Sequence, residues 1–184
     1  MERIEDLKIS LLALLKKEAF KKGDFTLSSG KKSSYYLDGR IITLTPEGAY
    51  LVASIILGLA EGTGITAIGG PTLGADPIVG AAAALSHIEK IPIKTFIVRK
   101  AAKGHGTQRR IEGPPLNNTD KAILVDDVAT TGGSLIEAKE ALDELGVRVE
   151  KAIVIVDRME GAGENLSGIG LKLESIFTIK DLGV

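Results

Sequence analysis

Hydrophobic positions along this chain recur in two rhythms that take turns. Ile4, Leu7, Leu11, Leu14 and Leu15 share one helical face, which predicts an amphipathic helix over about Ile4 to Lys22. Two short strand-like pieces follow, Asp24 to Leu27 and Ser34 to Asp38. Thr45-Pro46-Glu47 reads as an N-cap with proline at the first helical position, opening a helix to about Glu61. Beyond it, Ala67-Ile68 predicts a buried strand and Asp76 to Ile88 a helix. Lys94 to Val98 predicts a second strand, followed by a long polar segment. Ile123 to Val125, Ser134 to Leu145, Val149 to Val156 and Leu171 to Thr178 read as strand, helix, strand and strand. This alternation argues for an α/β domain with a parallel sheet covered on both faces. A small cap is expected from the Phe25–Asp38 region and the C-terminal tail.

A length of 184 residues fits one domain with an ample core, and 44% hydrophobic with 26% charged residues is ordinary for a globular chain. The net charge of −1 gives no global pull toward nucleic acid or an anionic membrane. No stretch approaches the roughly 20 apolar residues of a membrane span, and Met1-Glu2-Arg3-Ile4-Glu5-Asp6 is too acidic for a signal peptide. Cytoplasmic is therefore the expected location. Cysteine is absent, which removes disulfides, thiolate catalysis and cysteine-ligated metals. The two histidines, His87 and His105, could not build a zinc site without carboxylate help.

The most telling run is Ile123-Leu124-Val125-Asp126-Asp127-Val128-Ala129-Thr130-Thr131-Gly132-Gly133-Ser134. An apolar strand ends in two carboxylates, and small hydroxyl and glycine residues then open a helix. Backbone N–H groups at a helix N-terminus bind phosphate, and glycines let the backbone come close. Thr130, Thr131 and Ser134 can add hydroxyl hydrogen bonds. Two acids would repel a bare phosphate but suit a sugar phosphate, as acceptors for ribose hydroxyls or neighbours of a shared Mg²⁺. The bland alternative is a solvated turn with Asp as a helix cap. Neither a P-loop nor a dinucleotide fingerprint fits, since no Gly-Lys-Ser/Thr follows and the G-x-G-x-x-G spacing is missing. The segment resembles the phosphoribosyl pyrophosphate (PRPP) signature of the type I phosphoribosyltransferases. That resemblance implies a Rossmann-like parallel sheet flanked by helices with a small hood, from about residues 22–40 plus the tail, in a single domain over 1–184.

Three other stretches extend the resemblance. Ile68-Gly69-Gly70-Pro71-Thr72-Leu73-Gly74-Ala75-Asp76-Pro77 lies between a strand and a helix and offers a second anion-binding turn; the plain alternative is an ordinary βα turn. The family's corresponding loop binds pyrophosphate, which implies that role for Gly69, Gly70 and Pro71. Arg99-Lys100-Ala101-Ala102-Lys103-Gly104-His105-Gly106 opens a basic, glycine-punctuated stretch over about residues 99–113 that is expected to form a mobile cationic lid. Closing such a lid places positive charge on a departing pyrophosphate and excludes water. A solvated basic hairpin or a nucleic-acid patch is the competing reading, with neither interleaved aromatics nor net positive charge behind it. The lid is similar to the catalytic loop of the orotate phosphoribosyltransferases. In that family Arg99, Lys103 and His105 would reach into the partner subunit and Lys100 would serve its own, with Lys103 and Asp127 at the centre of catalysis. Phe25 to Asp38 resembles the orotate-binding hood, where Tyr35 and Tyr36 would meet the flat base; adjacent strand residues face opposite ways, so at most one stacks directly. Arg158, after the last core strand, and Thr130 inherit contacts to orotate, for which a carboxylate-gripping Arg is apt. The competing reading pairs Arg158 with Asp157 or Glu160. Many bacterial members carry Lys where this chain has Ser28, with Lys31 and Lys32 as neighbours that could substitute.

The resemblance implies transfer of the phosphoribosyl group of PRPP to orotate, giving orotidine 5′-monophosphate and pyrophosphate in pyrimidine synthesis. PRPP contacts would come from Arg99, Lys100, Lys103, His105 and the run Asp126 to Ser134, including Val128 and Ala129. Mg²⁺ would be the cofactor, held mainly by PRPP rather than by a protein cage. A homodimer with lid residues acting in trans is expected, with no nucleic-acid or membrane partner. The alternatives are a purine-salvage transferase of the same fold, or a nucleotide-sensing regulator that uses the PRPP site as a switch.

Overall fold

The computed structural model describes residues 3–26, 30, 32–100 and 110–184. Helix α1 (Ile4–Leu14) passes through a π-helical turn (Leu15–Ala19) into a hairpin of β1 (Phe20–Thr26) and β2 (Lys32–Leu37). The short helix α2 (Arg40–Thr43) and the long α3 (Pro46–Ala60) lead into the alternating part of the chain. That part runs β3 (Ala67–Pro71), α4 (Ala75–Ile88), β4 (Lys94–Val98), β5 (Ile111–Glu112), β6 (Lys121–Ala129), α5 (Gly133–Asp143), β7 (Arg148–Asp157), α6 (Ala162–Gly168) and β8 (Lys172–Thr178). A 3₁₀ turn (Ile179–Leu182) closes the chain.

Six strands form one sheet in the order β5-β4-β3-β6-β7-β8, parallel except for β5. Alternation along the strands feeds two cores. Ile68, Ile123, Val125, Ile153 and Ile155 pack with α1, α3 and α4 on one face. Ala67, Leu124, Ala152 and Val154 pack with Leu135, Ala138 and Leu142 of α5 on the other. Each fully buried Leu or Ile contributes about 1.5–3 kcal/mol. The expected sheet, covered on both faces, is what forms. Strand order reverses between β3 and β6, so their carboxyl ends border the crevice where open α/β sheets take ligands.

The start of α3 follows its sequence signal: the Thr45 hydroxyl accepts from the Gly48 N–H at 3.1 Å, with Pro46 at the first helical position. Three expectations need correction. The first helix does not reach Lys22, because Phe20, Lys21 and Lys22 pair with Leu37, Tyr36 and Tyr35 in the hairpin. The signature strand does not stop before its acids. It continues to Ala129, because β7 supplies backbone partners as far as Asp157. The C-terminal strand does not join the cap; β8 is the edge of the main sheet beside β7, reached through α6. The end of the tail does touch the hairpin, where Lys22 Nζ donates to the Gly183 carbonyl at 2.8 Å.

Candidate active site

Asp126 and Asp127 lie side by side near the carboxyl end of β6. Asp126 Oδ1 accepts from the Asp127 N–H at 2.9 Å, and Asp127 Oδ1 accepts from the Val128 N–H at 2.8 Å. Burial pushes the Asp126 carboxyl well above the usual carboxylate range, and the neighbouring Asp127 charge adds to it. Asp127 is raised by burial too, against the Val128 N–H that favours its charged form. A Cβ on Gly74 would collide with the oxygens of both acids, and one on Gly39 would collide with Asp127. Backbone from two other segments thus closes on the pair and crowds it.

The chain then turns through Thr130 and Thr131 to Gly132, whose φ of +80° is the left-handed conformation glycine adopts cheaply. Helix α5 starts at Gly133, and its first intrahelical bond runs from the Ile136 N–H to the Gly132 carbonyl. No side chain caps this end, so the N–H groups of Gly133, Ser134 and Leu135 remain available to an anion. Val128 to Ser134 line a recess of about 270 Å³ together with Asp126. The loop is braced from behind by the Ala162 N–H on the Thr130 carbonyl and by Asn165 Nδ2 on the Thr131 carbonyl, at 3.1 and 2.9 Å.

Across the crevice, Gly69, Gly70 and Pro71 are buried inside β3. A Cβ on Gly69 would strike Phe96, and one on Gly70 would strike the Val125 carbonyl. These glycines allow strands to approach closely, and the lining of the cleft falls to the next three residues. Thr72, Leu73 and Gly74 border a cleft of about 460 Å³ with Tyr36, Asp38, Arg40, Lys100, Asp127 and Val128. Its Thr72–Leu73 peptide is cis. Arg40 grips Asp38 through two bonds of 2.9 Å, which holds the Asp38 carboxyl below its ordinary range. Asp76, in the first turn of α4, is pushed upward by burial.

The adjacent tyrosines divide their work. Tyr36 is 38% exposed and borders the cleft, whereas Tyr35 is 8% exposed and belongs to the core. Tyr35 reaches the site through its hydroxyl, which accepts from Arg158 Nε at 3.0 Å, while the Arg158 guanidinium lies 5.0 Å from its ring centroid. The Arg158 N–H bonds the Ala129 carbonyl at 2.9 Å, fixing this arginine beside the signature loop.

A model of the phosphoribosyl transferase domain matches residues 45–174, which contain the signature, the β3–α4 turn and Arg158. An orotate phosphoribosyltransferase of Nostoc is 46% identical over 179 residues, covering 97% of this chain and 86% of that relative. The chain belongs to the orotate phosphoribosyltransferases. A crystal structure of the orotate phosphoribosyltransferase of Mycobacterium tuberculosis superposes with a TM-score of 0.84 at 36% identity, covering 97% of this chain and 99% of that one. Another structure of the same enzyme, in complex with PRPP, gives a TM-score of 0.80 at 32% identity over 97% and 99% of the two chains.

Most residues expected from the family's pattern converge on this crevice. Asp126 and Val128 to Ser134 line the recess, Asp127, Lys100 and Tyr36 border the cleft, and Arg158 stands beside the Ala129–Thr130 backbone. Arg99 pairs with Glu112 at 3.3 Å, and its N–H bonds the Arg110 carbonyl at 2.8 Å, so the two ends of the 99–113 segment are stitched together. Lys103 and His105 lie outside the described residues, as do Ser28 and Lys31; Lys32 opens β2, exposed and opposite Thr26. Two placements differ from expectation. Gly69, Gly70 and Pro71 sit behind the cleft, and Tyr35 hydrogen-bonds Arg158 rather than lining the cleft. Arg40 and Asn165 were not anticipated. Asp38-Gly39-Arg40 carries no recognisable motif, and Asn165 sits on a short, glycine-flanked helix with no strong periodicity.

Proposed function

We propose that this chain carries out the reaction for which its relatives are named, moving the phosphoribosyl group of PRPP onto orotate. The bond from the anomeric carbon to pyrophosphate breaks, a bond to the base nitrogen forms, and orotidine 5′-monophosphate and pyrophosphate result. The observation that carries this reading is the junction at the end of β6. There an uncapped helix terminus suited to a 5′-phosphate adjoins two crowded carboxylates suited to ribose hydroxyls.

In this reading Thr130, Thr131, Ser134 and the α5 N–H groups hold the 5′-phosphate, and Asp126 and Asp127 orient the ribose. Thr72 to Gly74 and Lys100 flank the pyrophosphate, with Arg99, Lys103 and His105 adding charge from the partner of a homodimer. Tyr36 lies against the flat base, and Thr130 and Arg158 contact orotate, with its carboxylate on the Arg158 guanidinium. Positioning and cationic stabilisation of the leaving group suffice, with no covalent enzyme intermediate. The acid pair fits a hard divalent cation, since burial and mutual repulsion disfavour its charge. Mg²⁺ held mainly by PRPP would supply electrostatic stabilisation of the pyrophosphate. A cytoplasmic location accords with the absence of cysteine, and no helix among the described residues is long and apolar enough to cross a membrane.

The test is direct. With Mg²⁺ and PRPP present, orotate's ultraviolet absorbance should fall as product forms. Turnover of a purine base with none of orotate would overturn the assignment.

A further inference from the structure

Arg158 is held unusually well for a residue with much of its hydrogen-bonding capacity to spare. Its side chain is 12% exposed, it lies over the Tyr35 ring, and its Nε donates to the Tyr35 hydroxyl. Glu160 Oε1 approaches the same Nε at 2.9 Å. Among the described residues, neither terminal nitrogen of Arg158 donates a hydrogen bond, and the Nε is the atom on which Tyr35 and Glu160 converge. A guanidinium carries five N–H donors in a planar fork, so the edge matched to a second carboxylate is open while the shank is fixed.

The turn that brings Glu160 back is itself unusual. Met159 has a φ of +59°, and only it and Lys90 are left-handed non-glycine residues among those described. Its N–H bonds Asp157 Oδ1 at 2.8 Å, and Gly161 follows with a φ of +100°. A bulky residue in this conformation is strained and persists where its surroundings demand it. Here the strained residue reverses the chain so that a carboxylate, itself 39% exposed, returns to the arginine two positions before it.

We propose that Glu160 is a built-in competitor for Arg158, an internal carboxylate that weakens the hold of this arginine on the carboxylate of orotate and so sets the enzyme's affinity for its acceptor. This rests on the reading of Arg158 as the orotate carboxylate's partner. Two carboxylates share one guanidinium when orotate binds, and each reduces the attraction felt by the other. Partial exposure of Glu160 lets it loosen or swing away without leaving a buried unpaired charge. Tyr35 keeps the guanidinium in place meanwhile, so the site does not collapse when Glu160 departs. Glu160 thus acts as a specificity-determining residue through charge.

The experiment is steady-state kinetics on the full chain with Glu160→Gln, which keeps size and removes charge, and Glu160→Ala as a second variant. The KM for orotate should fall about two- to five-fold, the size expected of one partly exposed charge pair, with the KM for PRPP unchanged. Uracil, which lacks the carboxylate, should bind wild type and variants equally as a competitor of orotate; a merely structural role would shift both ligands together. An unchanged or raised KM for orotate in both variants overturns the proposal, as does an equal change for uracil. Arg158→Ala separates this from the underlying reading. If it leaves the KM for orotate unchanged, the assignment of Arg158 itself fails. If it raises that KM while the Glu160 variants do nothing, only the competitor role fails.

Discussion

The Asp126 carboxyl works against the stability of the fold that holds it. Burial and the Asp127 charge raise its pKa in the folded protein, so folding favours the protonated form. Below the unfolded carboxylate value of about 3.9, both states are protonated and the residue is neutral to stability. As pH rises from there through the raised folded value, the unliganded protein loses stability, and the loss is complete above it. Asp126→Asn can keep the acceptor for the Asp127 N–H while removing the charge. Its melting temperature without ligand should exceed that of wild type at neutral pH, at roughly 2–4 °C per kcal/mol for a chain of this size. The gain should vanish near pH 4, and activity should drop. An equal or lower melting temperature at pH 7 would show that the buried charge costs nothing. The presence of two acids here was legible from the sequence. Their mutual burial was not, because it depends on Gly74 and Gly39 closing from other segments.

The β3–α4 turn shows why element identity was easier to read than element role. Its glycines announced a close backbone approach, and the structure divides that approach between two purposes. Gly69 and Gly70 let β3 lie against Phe96 and the Val125 carbonyl, while Gly74 lets the turn press on the acids. Gly74→Ala should destabilise by about 1–3 kcal/mol through overpacking and raise the KM for PRPP. Gly80→Ala in α4, where a Cβ would meet nothing within 4 Å, should instead stabilise by up to about 1 kcal/mol. Thermal denaturation of the two variants side by side checks both signs, and equal effects would refute the packing argument. Strongly periodic or well-capped elements such as α3 were legible. The two-residue β5 and the seven-residue α6 were not, being too short to establish a rhythm.

For the whole molecule, sharing of the lid between subunits is the testable property. If Lys103 acts on a partner's site, Lys103→Ala alone and Asp127→Asn alone should each be nearly inactive. In the proposed homodimer, mixing and exchange would then give hybrids in which one site has both an intact Asp127 and an intact lid. With random exchange, about one site in four regains activity, as two-fold symmetry requires. No recovery despite demonstrated exchange would place Lys103 in its own subunit's site.

The sequence by itself determined the chemistry that is contiguous along the chain. The acid pair, the phosphate-binding turn and the glycine-rich βα turn each lie within a dozen residues, and local spacing limits what such a run can bind. It also determined the α/β class, because strand and helix rhythms are local. Tertiary structure alone decided which neighbours meet. Tyr35 and Arg158 are 123 positions apart, and their contact depends on how the hairpin lies against the end of β7. The pleat sends Tyr35 inward and Tyr36 to the cleft, an outcome that alternation required of two adjacent tyrosines without saying which would go where. Sheet order likewise brought the ends of β3 and β6 together and carried the C-terminal strand to the far edge. Strand order is set by packing across the whole core, and a residue pattern with a period of two carries no record of it.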